Sequence, residues 1–111
     1  MLVAEYRLRK SAAIATAMKR GRRYASEHLV VHVQTEAASH TRFAFAVGKN
    51  VGNSVVRHRV TRQLRHIVAS QVDSFPQGAH VVVRALPSAS KASFSSLAAS
   101  FDQAVRKVGP Q

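Results

Sequence analysis

Apolar and polar residues follow one another along the chain in two rhythms, and the switches between them mark the elements. From Leu8 to Arg20, Ile14 and Met18 stand four apart with Ala13 and Ala17 beside them, a helical spacing on good helix formers, and Gly21 stands where that helix would stop. His28 to Gln34 and Thr41 to Val47 are rich in β-branched and aromatic residues. They predict two antiparallel strands joined by the polar stretch Thr35 to His40, with Tyr24 and Ala25 adding a short strand before them. Asn53 opens a helical pattern that runs to Val72, and Pro76 with Gly78 marks its exit. Ala79 to Ala85, around Val81-Val82-Val83, predicts a buried strand. After the Ser-rich segment Pro87 to Ser90, the residues Phe94, Leu97, Ala98, Phe101, Val105 and Val108 recur at helical spacing, so the chain closes with an amphipathic helix. No repeat, linker or low-complexity block interrupts the series. The order α-β-β-β-α-β-α describes one α+β sandwich domain over residues 1–111, with a sheet of about four strands. Strand 41–47, helix 53–72 and strand 79–85 form a βαβ unit if the strands are parallel neighbours, right-handed by the general rule.

The long helix divides into stripes. With successive residues 100° apart, counted from Val55, the residues Val56, Val60, Leu64 and Ile67 fall within about 80° of one another and form the core stripe. Arg59, Arg62 and His66 lie on the opposite side, whereas Arg57, Thr61 and Arg65 run down the flank between the two. A solvated helix face ordinarily pairs Lys or Arg with Glu four residues away. Here no acid lies between Lys49 and Gln71, which suits a face whose charge a polyanion neutralises. Arginine's planar fork can grip a phosphate bidentately and stack on a base.

Composition supports that partner. The 111 residues carry 17 Lys and Arg against 5 Asp and Glu, a formal charge of +12, and no cysteine. Zero cysteine excludes a disulfide scaffold, a thiolate zinc site, an iron–sulfur ligand set and a cysteine nucleophile. The charge is placed in two blocks: seven cations in residues 1 to 24 and five in residues 49 to 65. Nucleic acid is the expected partner class, ahead of an acidic membrane surface. No apolar run approaches the roughly 20 residues that span a bilayer, and the N-terminus lacks the basic-then-apolar order of a secretory signal. A transit peptide is the lesser reading of the Ala- and Arg-rich start, and the cytoplasm is the expected location. Gly48-Lys49-Asn50-Val51-Gly52 fails as a P-loop, because three residues separate the glycines and Gly-Lys-Ser/Thr does not follow. It suits a strand-to-helix turn with Asn53 or Ser54 as N-cap.

The segment Gly52-Asn53-Ser54-Val55-Val56-Arg57-His58-Arg59-Val60-Thr61-Arg62-Gln63-Leu64-Arg65 resembles the signature helix of the bacterial ribonuclease P protein subunit. That signature typically reads Gly-Asn-Ala-Val, one variable residue, Arg-Asn-Arg, then Lys-Arg and a further Arg. Leu8-Arg9, the Lys-Arg-Gly before residue 22, Arg42 opening a strand, Lys49, the Val-Val-Val strand and the Phe94/Leu97 helix fall in the family's order as well. The sequence departs from the pattern at His58, usually Asn, at Thr61, usually Lys, at Ile14 and Met18, commonly Phe, and at His32, where Tyr is common. Ile and Met can cover a base but offer no π face, which leaves His32 to supply one.

The resemblance implies a protein that joins a large catalytic RNA to form an endoribonuclease. The holoenzyme removes the 5′ leader of precursor tRNA, and the RNA with its Mg²⁺ ions performs the hydrolysis. It also implies a left-handed βαβ crossover, no catalytic residue and no metal site in the protein. RNA contacts are expected from the signature helix and loop at Lys49, Asn53, Arg57, His58, Arg59, Arg62, Arg65 and His66. Further contacts are expected from the N-terminal block at Arg7, Arg9, Arg22 and Arg23. A leader cleft is expected at Ile14, Met18, His32, Arg42, Arg57, Thr61 and Arg65. A membrane partner is not expected. A DNA-binding helix-turn-helix, the main rival, lacks the helix that must precede its recognition helix, since Phe43 to Val47 reads as strand, and no DNA partner is expected. A structural, ribosomal-type RNA-binding protein fits the charge equally well and differs by the signature alone. A self-sufficient nuclease is disfavoured, because Glu5, Glu27, Glu36, Asp73 and Asp102 are scattered singly. His28 and His32 would share one strand face, a spacing more often structural or RNA-facing than metal-binding.

Overall fold

A computed structural model describes residues 3–108. Helix α1 (Ser11–Arg20) is followed by strands β1 (Arg22–Ala25), β2 (Leu29–Gln34) and β3 (Arg42–Ala46), helix α2 (Ser54–Ala69), strand β4 (His80–Ala85) and helix α3 (Phe94–Val108). Short 3₁₀ turns lie at Ala4–Tyr6, Val72–Ser74 and Pro87–Ser90. The predicted order holds. The first helix begins three residues later than its periodicity predicts, because Leu8 is drawn into an extended segment: its N–H donates to the Phe43 carbonyl at 2.7 Å, and Arg7 bridges Phe43 in parallel. The second helix ends at Ala69, and the turn Val72–Ser74 takes over the rest of the pattern.

The strands lie in the order β1-β2-β4-β3, with β1, β2 and β4 antiparallel in succession and β3 parallel to β4. β2 and β3 run in opposite directions as predicted, but they are not neighbours. β4 lies between them, Val83 opposite Val31 on one side and Val81 opposite Phe43 on the other. The reason is its apolar run: Val81, Val82 and Val83 are all fully buried. Each buried valine contributes roughly 1.5–3 kcal/mol relative to an exposed one, and only a central strand covers both faces. The long α2 connection is also what a parallel β3–β4 pair requires.

Alternation along the strands sends side chains to two layers. On one face Leu29, Val31, Val33, Phe43, Val81 and Val83 join Val60, Leu64 and Ile67 of α2 and Leu97, Phe101 and Ala104 of α3 in the main core. On the other, Ala44 and Val82 meet Leu8 and Ala17, with Ala13, Ile14 and Met18 of α1 packed around them. Gly21 lets α1 approach the sheet this closely. Its φ of −71° is ordinary, but a Cβ there would stand 2.5 Å from the Ala17 carbonyl oxygen and 3.0 Å from the Val33 backbone. Buried Ser100 fixes α3 against the β1–β2 turn, bonded to the Ser26 hydroxyl at 2.6 Å and accepting from the His28 N–H at 3.0 Å. Phe94, expected on the apolar stripe of α3, stays 43% exposed at the helix start, its ring edge-on to His66 at 5.7 Å.

Candidate nucleic-acid interface

The outer edge of β3 is bordered by the N-terminal segment and α1 on one side and by α2 on the other. Between them lies a groove of about 340 Å³ lined by Arg7, Leu8, Arg9 and Ile14, by Phe43 to Phe45, and by Thr61 and Arg65. A hollow of about 400 Å³ shares Thr61 and Arg65 with it and extends past Val47 and Ser54 to Arg57, His58 and Arg62. The flank row of α2 is therefore the common wall of both spaces. Thr61 turns its hydroxyl back to donate to the Arg57 carbonyl at 2.8 Å, leaving its methyl and the two arginines to line the wall.

Electrostatically these arginines are unanswered. Among the described residues the one ion pair is His28 with Glu27, at 3.4 Å, so no arginine there touches a carboxylate. The Nε groups of Arg7, Arg57 and Arg65 are buried and have no hydrogen-bond partner among the described residues. An unmet buried donor on a charged group is costly, and an incoming acceptor relieves that cost. Phosphate oxygens are suited to do so.

The predicted residues fall into distinct places. Arg57, His58, Arg62 and Arg65 line the joined spaces; Arg62, expected on the outward row, stands here instead. Arg59 is half-buried and donates to the Ser90 carbonyl, tying α2 to the turn before α3, so one of its N–H groups is committed within the chain. His66 is exposed beside Phe94, Lys49 is exposed in the turn before α2, and Asn53 caps that helix by accepting the Val56 N–H at 3.0 Å. Arg7 and Arg9 reach the groove, but Arg22 lines a separate cavity with Arg20, and Arg23 lies exposed on β1.

Of the expected cleft residues, Ile14, Arg57, Thr61 and Arg65 border the joined spaces, and three others do not. Met18 packs against the small core beneath α1. His32 is 3% exposed and accepts a hydrogen bond from Arg84 Nε at 3.4 Å, so its ring has no free face. Burial first, then the positive charges of Arg84 and Arg23, hold the His32 pKa below the ordinary imidazole value. Arg42 donates to His40 Nε2 at 3.3 Å and lines neither space. Sequence reasoning overlooked Phe45 and Val47, although their alternation with Phe43 places them on the α2 face once β3 and β4 are paired in parallel.

Among the described residues no group of three or more His, Asp or Glu could hold a metal ion, and no helix is long and apolar enough to cross a membrane. Fold and groove together define a small basic α+β protein with unpaired arginines gathered along one sheet edge among the described residues. The Ribonuclease P family model matches residues 2–109, and the chain belongs to that family. It is 46% identical to the ribonuclease P protein component of Acidothermus cellulolyticus, over 93% of this chain and 88% of that one. It is 43% identical to that of Streptomyces bikiniensis, over 97% and 95%. The fold matches the Staphylococcus aureus RNase P protein with a TM-score of 0.82 at 23% identity, covering 94% of this chain and 95% of that chain. It matches the Thermotoga maritima RNase P protein with a TM-score of 0.77 at 21% identity, covering 90% and 96%. The chain is thus the protein component of a ribonucleoprotein endoribonuclease that works in tRNA 5′ processing, and its partner is the RNA subunit of that enzyme.

Proposed function

We propose that the groove along β3, with the hollow beside α2, holds the single-stranded 5′ leader of precursor tRNA while the outward side of α2 and its preceding loop dock on the RNA subunit. The observation that carries this reading is the convergence of three arginines, Arg7, Arg57 and Arg65, whose buried Nε groups lack partners among the described residues. Phosphate contacts supply affinity without sequence preference, and Ile14 and Phe45 give the bases an apolar surface. Holding the leader fixes the strand on one side of the scissile bond, so the chain contributes positioning and the RNA contributes the hydrolysis. In this reading the Mg²⁺ that the holoenzyme requires acts with the RNA. The place of action is the cytoplasm.

The test compares leader-bearing precursor with mature tRNA on the reconstituted holoenzyme. Arg65→Ala weakens precursor binding by on the order of tenfold, the loss of one charge-assisted contact, and leaves mature tRNA binding unchanged. Equal losses for the two substrates would move Arg65 out of the leader path.

A further inference from the structure

The sheet has a second edge, and it carries a groove of its own. At β1, about 14 Å across the sheet from β3 by strand spacing, a cavity of about 470 Å³ opens between Arg20 at the end of α1, Arg22 and Tyr24 of β1, and Gln34 and Thr35 at the end of β2. Val33 and Pro76 form its apolar wall. None of its lining residues is acidic, and neither arginine has an ion-pair partner among the described residues.

We propose that this groove binds one unpaired RNA nucleotide, its phosphate on Arg20 and Arg22 and its base on Tyr24. Arg22 and Tyr24 are two apart on one strand, so they share a face and stand about 7 Å apart, the scale of a single nucleotide. Tyr24 is half-buried and packs against the main core, which holds the ring still and leaves part of it toward the cavity. An aromatic held in this way is a stacking platform that loses little entropy on binding. Gln34 and Thr35 bring amide and hydroxyl groups able to meet a base edge. The volume lies within the roughly 300–1,000 Å³ of small-ligand sites and is too confined for a duplex, whose recognition spreads over a wide shallow groove. The inference rests on the chain being an RNA-binding subunit and is independent of the leader assignment at β3.

Binding is measured with the full-length protein across a salt series in three arms: RNA subunit alone, holoenzyme with precursor tRNA, and holoenzyme with mature tRNA. Arg20→Ala with Arg22→Ala weakens the affected arm about tenfold and makes its log–log salt slope shallower by about 0.7, the share of one single-strand phosphate. Tyr24→Leu weakens the same arm about tenfold, and Tyr24→Phe, which keeps the ring, restores it. A loss with the RNA subunit alone assigns the nucleotide to that RNA. A loss confined to precursor assigns it to the leader. Unchanged affinity and slope in all three arms overturns the proposal, and because both arginines are exposed on the surface, that result stands even where Tyr24→Leu fails to fold. Arg65→Ala in parallel keeps the two sites apart, since its failure to discriminate precursor from mature tRNA would count against the β3 groove only.

Discussion

His32 shows how one side chain can be chemically suggestive in sequence and structural in the fold. Its position invites a stacking role, but α1 covers it and Arg84 occupies its Nε2. Because burial and two nearby guanidinium groups lower its pKa, the native state takes up this proton less readily than the unfolded chain does. Stability is therefore full above the ordinary imidazole value, near 6.5, and falls as the pH drops through that value toward the depressed native one. His80, lowered by burial and then by Arg42, acts in the same direction. The melting temperature of the free protein should be lower at pH 5.5 than at pH 7.5, because the unfolded chain's imidazole takes up its proton near the ordinary value of roughly 6.5 and the native one only at lower pH. His32→Gln should shrink that difference, and a variant that melts with the wild-type pH dependence would show that the imidazole is not responsible. The covering of His32 was not legible beforehand, since nothing in the strand's own residues tells which helix lies over them.

At the scale of the element, α2 was the most readable part of the chain. Val60, Leu64 and Ile67 are buried where the 100° spacing put them, and Val55, opposite the stripe, is 76% exposed. The division between Arg57 and Arg65 on the wall and Arg59 and His66 elsewhere was legible for the same geometric reason. Less legible was what each polar residue touches. Asn53, expected both as a possible N-cap and as an RNA contact, takes the cap through its side-chain oxygen, which accepts the Val56 N–H. Asn53→Ala should destabilise the protein by about 1 kcal/mol, as loss of an N-cap does, whereas Asn53→Asp should keep the cap and weaken RNA binding through its negative charge. Thermal melts and RNA titrations of the two variants separate these effects; an unchanged melting point for Asn53→Ala would remove the cap from the account. The insertion of β4 between β2 and β3 was implicit in its valine run, and the Arg59 clamp on Ser90 was not, because it joins residues distant along the chain through a backbone carbonyl that any sequence would offer.

For the whole molecule the governing quantity is the charge of +12. With one ion pair among the described residues, screening has little attraction to weaken and much repulsion to relieve. Raising salt should therefore raise the melting temperature of the free protein while it weakens the leader contact proposed above. If about four single-strand phosphates are neutralised, the log–log slope is about −2.8, and a fourfold increase in salt weakens that contact about 50-fold. Two titrations over one salt range check both signs, and a melting point that falls with salt would mean that hidden ion pairs dominate.

The place of β4 also bears on how such a molecule comes into being. It follows β1, β2 and β3 in the chain and sits inside the sheet, so until His80–Ala85 leaves the ribosome β3 has no strand to pair with. The β1–β2 hairpin then stands alone, and an isolated hairpin is marginal in water. Because pairings between distant segments form late, the sheet and both of its edges arise together only once β4 has been made. A nascent chain short of β4 carries most of its arginines already, but without a groove to arrange them.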